Sequence, residues 1–115
     1  MEEYMKHNPE ETRIHECSRI IRKYPDRIPI IVCKDKGCTI PDIDKHKYIV
    51  PRDMSLGQFI YVIRKRINLG SNETLFVLVG NTLMPGNKLL QEIYEDNKSM
   101  DGFLYVTYSS ENTFG

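Results

Sequence analysis

The segment from Ile28 to Cys33 constrains the fold most strongly, because it is almost entirely apolar and rich in β-branched residues. Such a short apolar run predicts a strand. Successive side chains of a strand point to opposite faces of its sheet. Apolar residues stand at both alternating positions here, so both faces of this strand must be covered. The sequence therefore predicts a sheet with helical cover on two sides.

An N-terminal helix is predicted to supply one of these covers. Apolar residues recur at helical spacing from Ile14 to Tyr24. Asn8 is predicted to cap this helix, Pro9 to occupy its first position, and Pro25 to end it. A further short helix is expected over residues 2–6, and the narrow cover is expected to leave grooves along its seam with the sheet.

A second amphipathic helix is predicted over residues 55–67, opened by a capping box between Ser55 and Gln58. Further strands are predicted at 48–50, 75–79 and 103–108, with a short helix at 88–94. The element order is helix, strand, strand, helix, strand, helix, strand. It predicts the α+β class, with a mixed four-stranded sheet that embraces the second helix.

Composition excludes several classes of function. A chain of 115 residues predicts one domain. The 16 basic and 16 acidic residues balance, which argues against general attraction to nucleic acids or membrane surfaces. No apolar run approaches the roughly 18 residues of a spanning helix, and the acidic first residues are not typical of a signal peptide. The chain has an odd number of cysteines, 3, which indicates free thiols in a reducing, cytosolic setting.

Neither a metal site nor an enzyme centre is predicted from the residues. Cys33, Cys38 and His46 fit no zinc-ligand spacing and lack a fourth ligand. A Cys-His nucleophile pair needs an orienting third group, and the sequence offers none. We therefore expect no catalytic residues, no metal and no cofactor.

Five scattered segments carry a resemblance to a known family. "KYPDRIP", "IPDIDKHKYIVP", "GQFIYVIRKRI", "DGFLYVTYS" and "ENTFG" resemble the autophagy ubiquitin-like modifier family, which includes microtubule-associated protein light chain 3 and the GABA-receptor-associated protein. The resemblance runs from about Arg13 to Gly115. It implies a ubiquitin-like β-grasp core over 26–108, a helical extension over 1–25 and a flexible conjugation tail over 109–115. The acidic first dozen residues depart from the family pattern, so the family roles of that segment are not expected here.

The resemblance implies a reactive C-terminal glycine. Gly115 would be activated and passed through activating and conjugating enzymes to the amine of phosphatidylethanolamine, with Phe114 as an apolar handle for those enzymes. A cysteine protease is implied for processing or delipidation. Glycine suits this chemistry because it has no Cβ and can thread narrow clefts. The protein is then expected in the cytoplasm, and on autophagosomal membranes when lipidated.

The resemblance also implies a docking face for cargo receptors with aromatic-x-x-aliphatic motifs. An extended peptide would add to the short strand at 48–50. The aromatic pocket maps onto Glu16, Ile20, Pro29, Ile31, Lys47, Ile49 and Phe103. The aliphatic pocket maps onto Tyr48, Val50, Pro51, Met54, Phe59 and Val62. Arg27 and Arg66 match positions that face acidic residues flanking such motifs. The alternative function is a peptide-binding scaffold of the same fold that is never conjugated.

Overall fold

A single mixed sheet organises the computed structural model, which describes residues 1–70 and 72–110. The helices and strands, in chain order, are α1 (Glu2–His7), α2 (Glu10–Lys23), β1 (Arg27–Lys34), β2 (Lys47–Pro51), α3 (Leu56–Arg66), β3 (Phe76–Val79), β4 (Thr82–Leu83), α4 (Leu90–Asn97) and β5 (Leu104–Ser109). The predicted α+β class and the N-terminal helices are confirmed.

The strands are arranged in the order β2-β1-β5-β3-β4. The central pair β1 and β5 is parallel, and every other neighbouring pair is antiparallel. The prediction of four strands was wrong, because the two-residue strand β4 pairs with β3 and makes a fifth. The strand β5 also extends one residue beyond the predicted Tyr108, so the buried Ser109 belongs to the sheet and not to the tail.

The prediction that β1 is covered on both faces is confirmed. Ile28, Ile30 and Val32 lie in the main hydrophobic cluster, which α3 and α4 complete. Ile31 and Cys33 lie in a second cluster on the opposite face, with residues of α2. All five side chains are at most 4% exposed. Because each fully buried aliphatic side chain contributes about 1.5–3 kcal/mol, this strand stabilises both layers of the molecule.

The start of α2 differs from its prediction. Pro9 is the N-cap residue, and no side chain caps the helix. The Asn8 amide instead donates to the carbonyl of Tyr4, 2.9 Å away, at the C-terminal end of α1. The predicted Asn8 cap was wrong because α1 ends at His7 and leaves carbonyl groups that the Asn8 amide can satisfy.

The predicted capping box of α3 is confirmed. The Ser55 hydroxyl accepts from the Gln58 main-chain N–H, and the Gln58 side chain accepts from the Ser55 N–H. The short helix α4 begins later than predicted, at Leu90. No helix in the described ranges is long and apolar enough to cross a bilayer.

Candidate functional site

The strand β2 forms one edge of the sheet, as an exposed docking strand requires. It pairs with β1 on one side only. Edge strands present unpaired main-chain groups, and a further strand can pair with them. The opposite edge is β4, which is only two residues long. Among the described strands, β2 is therefore the longer edge available for strand addition.

The side chains of β2 alternate between the two faces of the sheet, as predicted from strand parity. Tyr48 and Val50 lie in the main cluster on the α3 face. Ile49 is only partly buried and packs against the second cluster on the α2 face. The β2 residues that belong to the two predicted pockets therefore lie on opposite faces of the sheet.

On the α2 face, a groove of about 430 Å³ lies between α2 and β2. Four residues of the predicted aromatic pocket line it, namely Glu16, Ile20, Lys47 and Ile49. Ile31 and Phe103 are fully buried in the cluster that contains Ile20 and packs against Ile49. Pro29 is buried and lies opposite Ile49 in the β1–β2 register. The groove thus has apolar side chains at its base and charged side chains at its rim.

Five further residues line this groove and were not predicted: Thr12, His15, Arg19, Lys23 and Tyr24. They follow the α2 sequence at helical spacing beside Glu16 and Ile20. The signal that could have found them is this periodicity, since residues three or four apart share one side of a helix. Arg19, Lys23 and Lys47 give the groove cationic walls that suit an acidic ligand.

An ion pair connects the two walls of the groove. The Lys47 ammonium contacts the Glu16 carboxylate, and both side chains are partly buried. Burial lowers the pKa of the Lys47 ammonium. Lys47 and Ile49 also line a neighbouring cavity of about 530 Å³ beside Tyr4 and His46, so the ion pair lies between two recesses on the α2 face.

 

On the α3 face, the ring of Tyr48 contacts a second residue of the predicted aliphatic pocket. Phe59 meets this ring edge-on, with the ring centroids 5.6 Å apart, and the Lys45 ammonium lies 5.1 Å from the Tyr48 centroid. Val50 and Phe59 are buried in the main cluster, and Met54 and Val62 pack against it partly exposed. Pro51 is half-buried at the end of β2. Phe59 is completely buried, so it forms part of the base of this face and does not line its surface.

Both predicted basic residues are held by acceptors of the chain itself. The Arg27 guanidinium donates to the main-chain carbonyl of Ile49 at 3.2 Å. The Arg66 guanidinium donates twice to the Asp44 carboxylate, at 2.8 and 3.1 Å. These hydrogen bonds from Arg66 lower the pKa of the Asp44 carboxyl. Neither arginine could be assigned its partner from the sequence.

His46 and Cys38 hydrogen-bond to main-chain carbonyls, and Cys33 lies beside His46. The Nδ1 atom of His46 lies 3.9 Å from the Cys33 sulfur, but the same Nδ1 donates to the carbonyl of Val32 at 2.8 Å. The Cys38 thiol donates to the carbonyl of Asp35. Within residues 1–70 and 72–110, no three His, Cys, Asp or Glu side chains are grouped so that they could hold a metal ion.

The predicted conjugation residue Gly115 and its neighbour Phe114 lie outside the described residues. The last described residues place the end of β5 at Ser109, on the strand next to β1. Because β5 is the central strand of the five, the described part of the chain ends beside the centre of the sheet.

Comparisons with known proteins agree on one family. The family model described as "Autophagy protein Atg8 ubiquitin like" matches residues 12–115. Autophagy-related protein 8a of Arabidopsis thaliana is 59% identical over 108 residues, which cover 94% of this chain and 88% of that protein. Autophagy-related protein 8B of Oryza sativa subsp. indica is 57% identical over 105 residues, covering 91% and 88% of the two chains.

A solved structure shows the same fold. The crystal structure of Trypanosoma brucei ATG8 is similar with a TM-score of 0.90 and 38% sequence identity, and the match covers 97% of each chain. The similarity extends over the mixed sheet and the helices that bury it.

Proposed function

Because this chain belongs to the Atg8 family of ubiquitin-like autophagy proteins, we propose that it is a modifier coupled through Gly115 to phosphatidylethanolamine. In its coupled form it recruits receptors with aromatic-x-x-aliphatic motifs to autophagosomal membranes, and in its free form it is cytoplasmic. Its partners in coupling are an activating enzyme and a conjugating enzyme, and a cysteine protease processes or removes it. The description of the family names a ubiquitin-like protein and no catalytic activity.

The observation that carries the receptor-binding half of this proposal is the position of β2. It is an open edge with an apolar base on each face and basic residues around it. A peptide strand added there would send alternate side chains to the two faces, one toward Ile49 and the other toward Tyr48. The match of the family model through residue 115 supports the coupling half.

The expected affinity follows from these contacts. Burial of one aromatic and one aliphatic side chain supplies a few kcal/mol, and main-chain pairing with β2 adds to it. After the cost of association, we expect micromolar binding, about −8 kcal/mol. Affinity in this range allows a receptor to be exchanged while the modifier stays on its membrane.

Coupling is tested by reconstitution. The protein is mixed with activating and conjugating enzymes, ATP and liposomes that contain phosphatidylethanolamine, and the product is followed by electrophoretic mobility and mass. A faster-migrating product with the mass of one added lipid is expected, and none without ATP. Gly115→Ala should abolish the product and leave peptide binding unchanged. If the unaltered protein forms no product but binds peptides, the function is that of an unconjugated scaffold.

Docking at β2 is tested with Ile49→Ala. Ile49 is only partly buried, so its truncation should preserve the fold. It should weaken the binding of an aromatic-x-x-aliphatic peptide about ten-fold, which corresponds to roughly 1.4 kcal/mol. Calorimetric titration measures the affinity. The matched control is Leu83→Ala, which truncates a 41% exposed aliphatic residue on the opposite edge strand β4 and should leave the affinity unchanged. Equal effects of the two substitutions would contradict docking at β2.

A further inference from the structure

The main-chain groups of β2 that face the open edge can be identified from the β1–β2 register. The Val32 N–H donates to the carbonyl of His46 at 2.8 Å, so these two residues form a hydrogen-bonded pair. Such pairs alternate with non-hydrogen-bonded pairs along an antiparallel ladder. Ile31 opposite Lys47, Pro29 opposite Ile49 and Arg27 opposite Pro51 are therefore the non-hydrogen-bonded pairs. The N–H and C=O groups of Lys47 and Ile49 point away from β1.

Two of the β2 carbonyls that point away from β1 already accept a hydrogen bond from within the chain. The Pro51 carbonyl accepts from the Met54 N–H at 3.3 Å. The Ile49 carbonyl accepts from the Arg27 guanidinium at 3.2 Å. Arg27 thus reaches from β1 across the edge of β2 and occupies the acceptor at the centre of that edge. Charged side chains commonly protect edge strands from unwanted pairing.

We propose that Arg27 closes the docking edge of β2 and opens it by exchanging partners, so that the edge selects extended peptides with acidic flanking residues. The inference rests on the proposed docking function. An incoming strand must place its own N–H on the Ile49 carbonyl, and Arg27 has to leave this acceptor. A carboxylate on the peptide gives the released guanidinium a new partner, and a neutral peptide does not.

The surroundings of Arg27 provide room for this exchange. Arg27 lines a cavity of about 510 Å³ at the end of β2, together with Asp26, Pro51, Arg52, Asp53 and Gln91. Arg52 adds a second cation for a carboxylate of the peptide. Asp26 and Asp53 are competing acceptors for the released guanidinium, and capture of Arg27 by either would remove the preference for acidic peptides.

Arg66 provides a matched comparison. It carries the same charge and is also held within the chain, but its acceptor is the Asp44 side chain and not a main-chain group of the edge. Removal of the Arg66 charge can weaken the binding of an acidic peptide, but it frees no acceptor on β2. Of these two arginines, Arg27 alone combines a contact for the flank with closure of the edge. Specificity of this kind comes from a penalty on the wrong ligand as well as a gain for the right one.

The experiment compares two peptides with the same aromatic-x-x-aliphatic core, one flanked by Glu on both sides and the other by Gln. Calorimetric titration measures both affinities for the unaltered protein, Arg27→Met and Arg66→Met. Arg27→Met should bind the Gln-flanked peptide about three-fold more tightly and should lose most of the preference for Glu. Arg66→Met should reduce the affinity for the Glu-flanked peptide and leave the Gln-flanked peptide unchanged. Thermal unfolding should show that both variants remain folded, since both arginines are exposed.

The outcomes separate this inference from the function on which it rests. If Arg27→Met binds the Gln-flanked peptide no more tightly than the unaltered protein does, Arg27 does not close the edge and the inference is overturned. If both arginine variants bind the Gln-flanked peptide more tightly and to the same extent, the loss of one positive charge explains the effect and the inference also fails. If the unaltered protein binds neither peptide, the proposed docking itself is wrong, and the inference falls with it.

Discussion

Gly102→Ala is expected to destabilise the protein by about 3 kcal/mol, which lowers the Tm by roughly 10 °C. Gly102 has a φ of 97°, in the region that side-chain-bearing residues rarely adopt. A Cβ built there would lie 2.7 Å from the sulfur of the buried Cys17 on α2. The turn has little freedom to yield, because the Gly102 N–H donates to the carbonyl of Ser99 and the Gly102 carbonyl accepts from the Tyr94 hydroxyl.

Two controls separate backbone strain from steric conflict. Gly80 has a φ of 63° but open space around its missing Cβ, so Gly80→Ala measures strain alone and should cost about 1–2 kcal/mol. In a Cys17→Ala background, Gly102→Ala should cost less, because the sulfur is gone. Thermal unfolding of the single and double variants gives both values. Equal costs of Gly102→Ala with and without Cys17 would show that the close approach to α2 contributes nothing.

Asp101→Ala is expected to cost about 3–5 kcal/mol, because Asp101 is a buried carboxylate with three partners. It accepts from the Phe103 N–H at 2.9 Å and from the Tyr105 hydroxyl, and it lies 3.5 Å from the Arg13 guanidinium. Burial, together with the hydrogen bond to Asp101, raises the pKa of the Tyr105 hydroxyl. Without the carboxylate, the Arg13 side chain, which is only 13% exposed, loses the opposite charge of Asp101.

The buried charge itself is tested with a double variant. Arg13→Met combined with Asp101→Ala should be more stable than the sum of the single effects predicts, since no unpaired charge remains in the seam between α2 and β5. Asp44→Ala breaks an ion pair on the surface, where Asp44 is 73% exposed, and should change stability little. Denaturant unfolding measures each variant. Strict additivity of the Arg13 and Asp101 effects would exclude coupling between them.

Local patterns in the sequence predicted much of the fold. The apolar residues at both alternating positions of β1 required two covered faces, and the Ser55 capping box located the start of α3. These signals depend on residues close together in the chain. The strand β4 was not predicted, because two residues are too few to show a pattern, and its pairing with β3 defines it.

Tertiary contacts explain the elements whose limits were misplaced. Residues 88 and 89 were predicted to be helical, but Lys88 lies in a bend and Leu89 is extended. The Leu56 N–H donates to the carbonyl of Lys88, and Ser55 and Leu89 form an isolated bridge. These main-chain contacts override the apolar helical spacing, so α4 begins at Leu90.

The candidate site was predictable in its apolar part and not in its polar part. The seam between α2 and β1 followed from the two-sided strand, and the structure brings Ile20, Ile31 and Ile49 together there. The partners of Arg27 and Arg66 each lie 22 residues away in sequence, at Ile49 and Asp44. A charged residue in isolation does not show which distant acceptor the fold will place beside it.

The parallel pairing of β1 with β5 has a mechanical consequence. A pull on the chain beyond Ser110 acts along β5, which is hydrogen-bonded to β1 on one side and to β3 on the other. Such a load shears both ladders at once and cannot open them one hydrogen bond at a time. A tether at this end would therefore load a strand that is held by two ladders, whereas β2, at the periphery, is held by its ladder with β1.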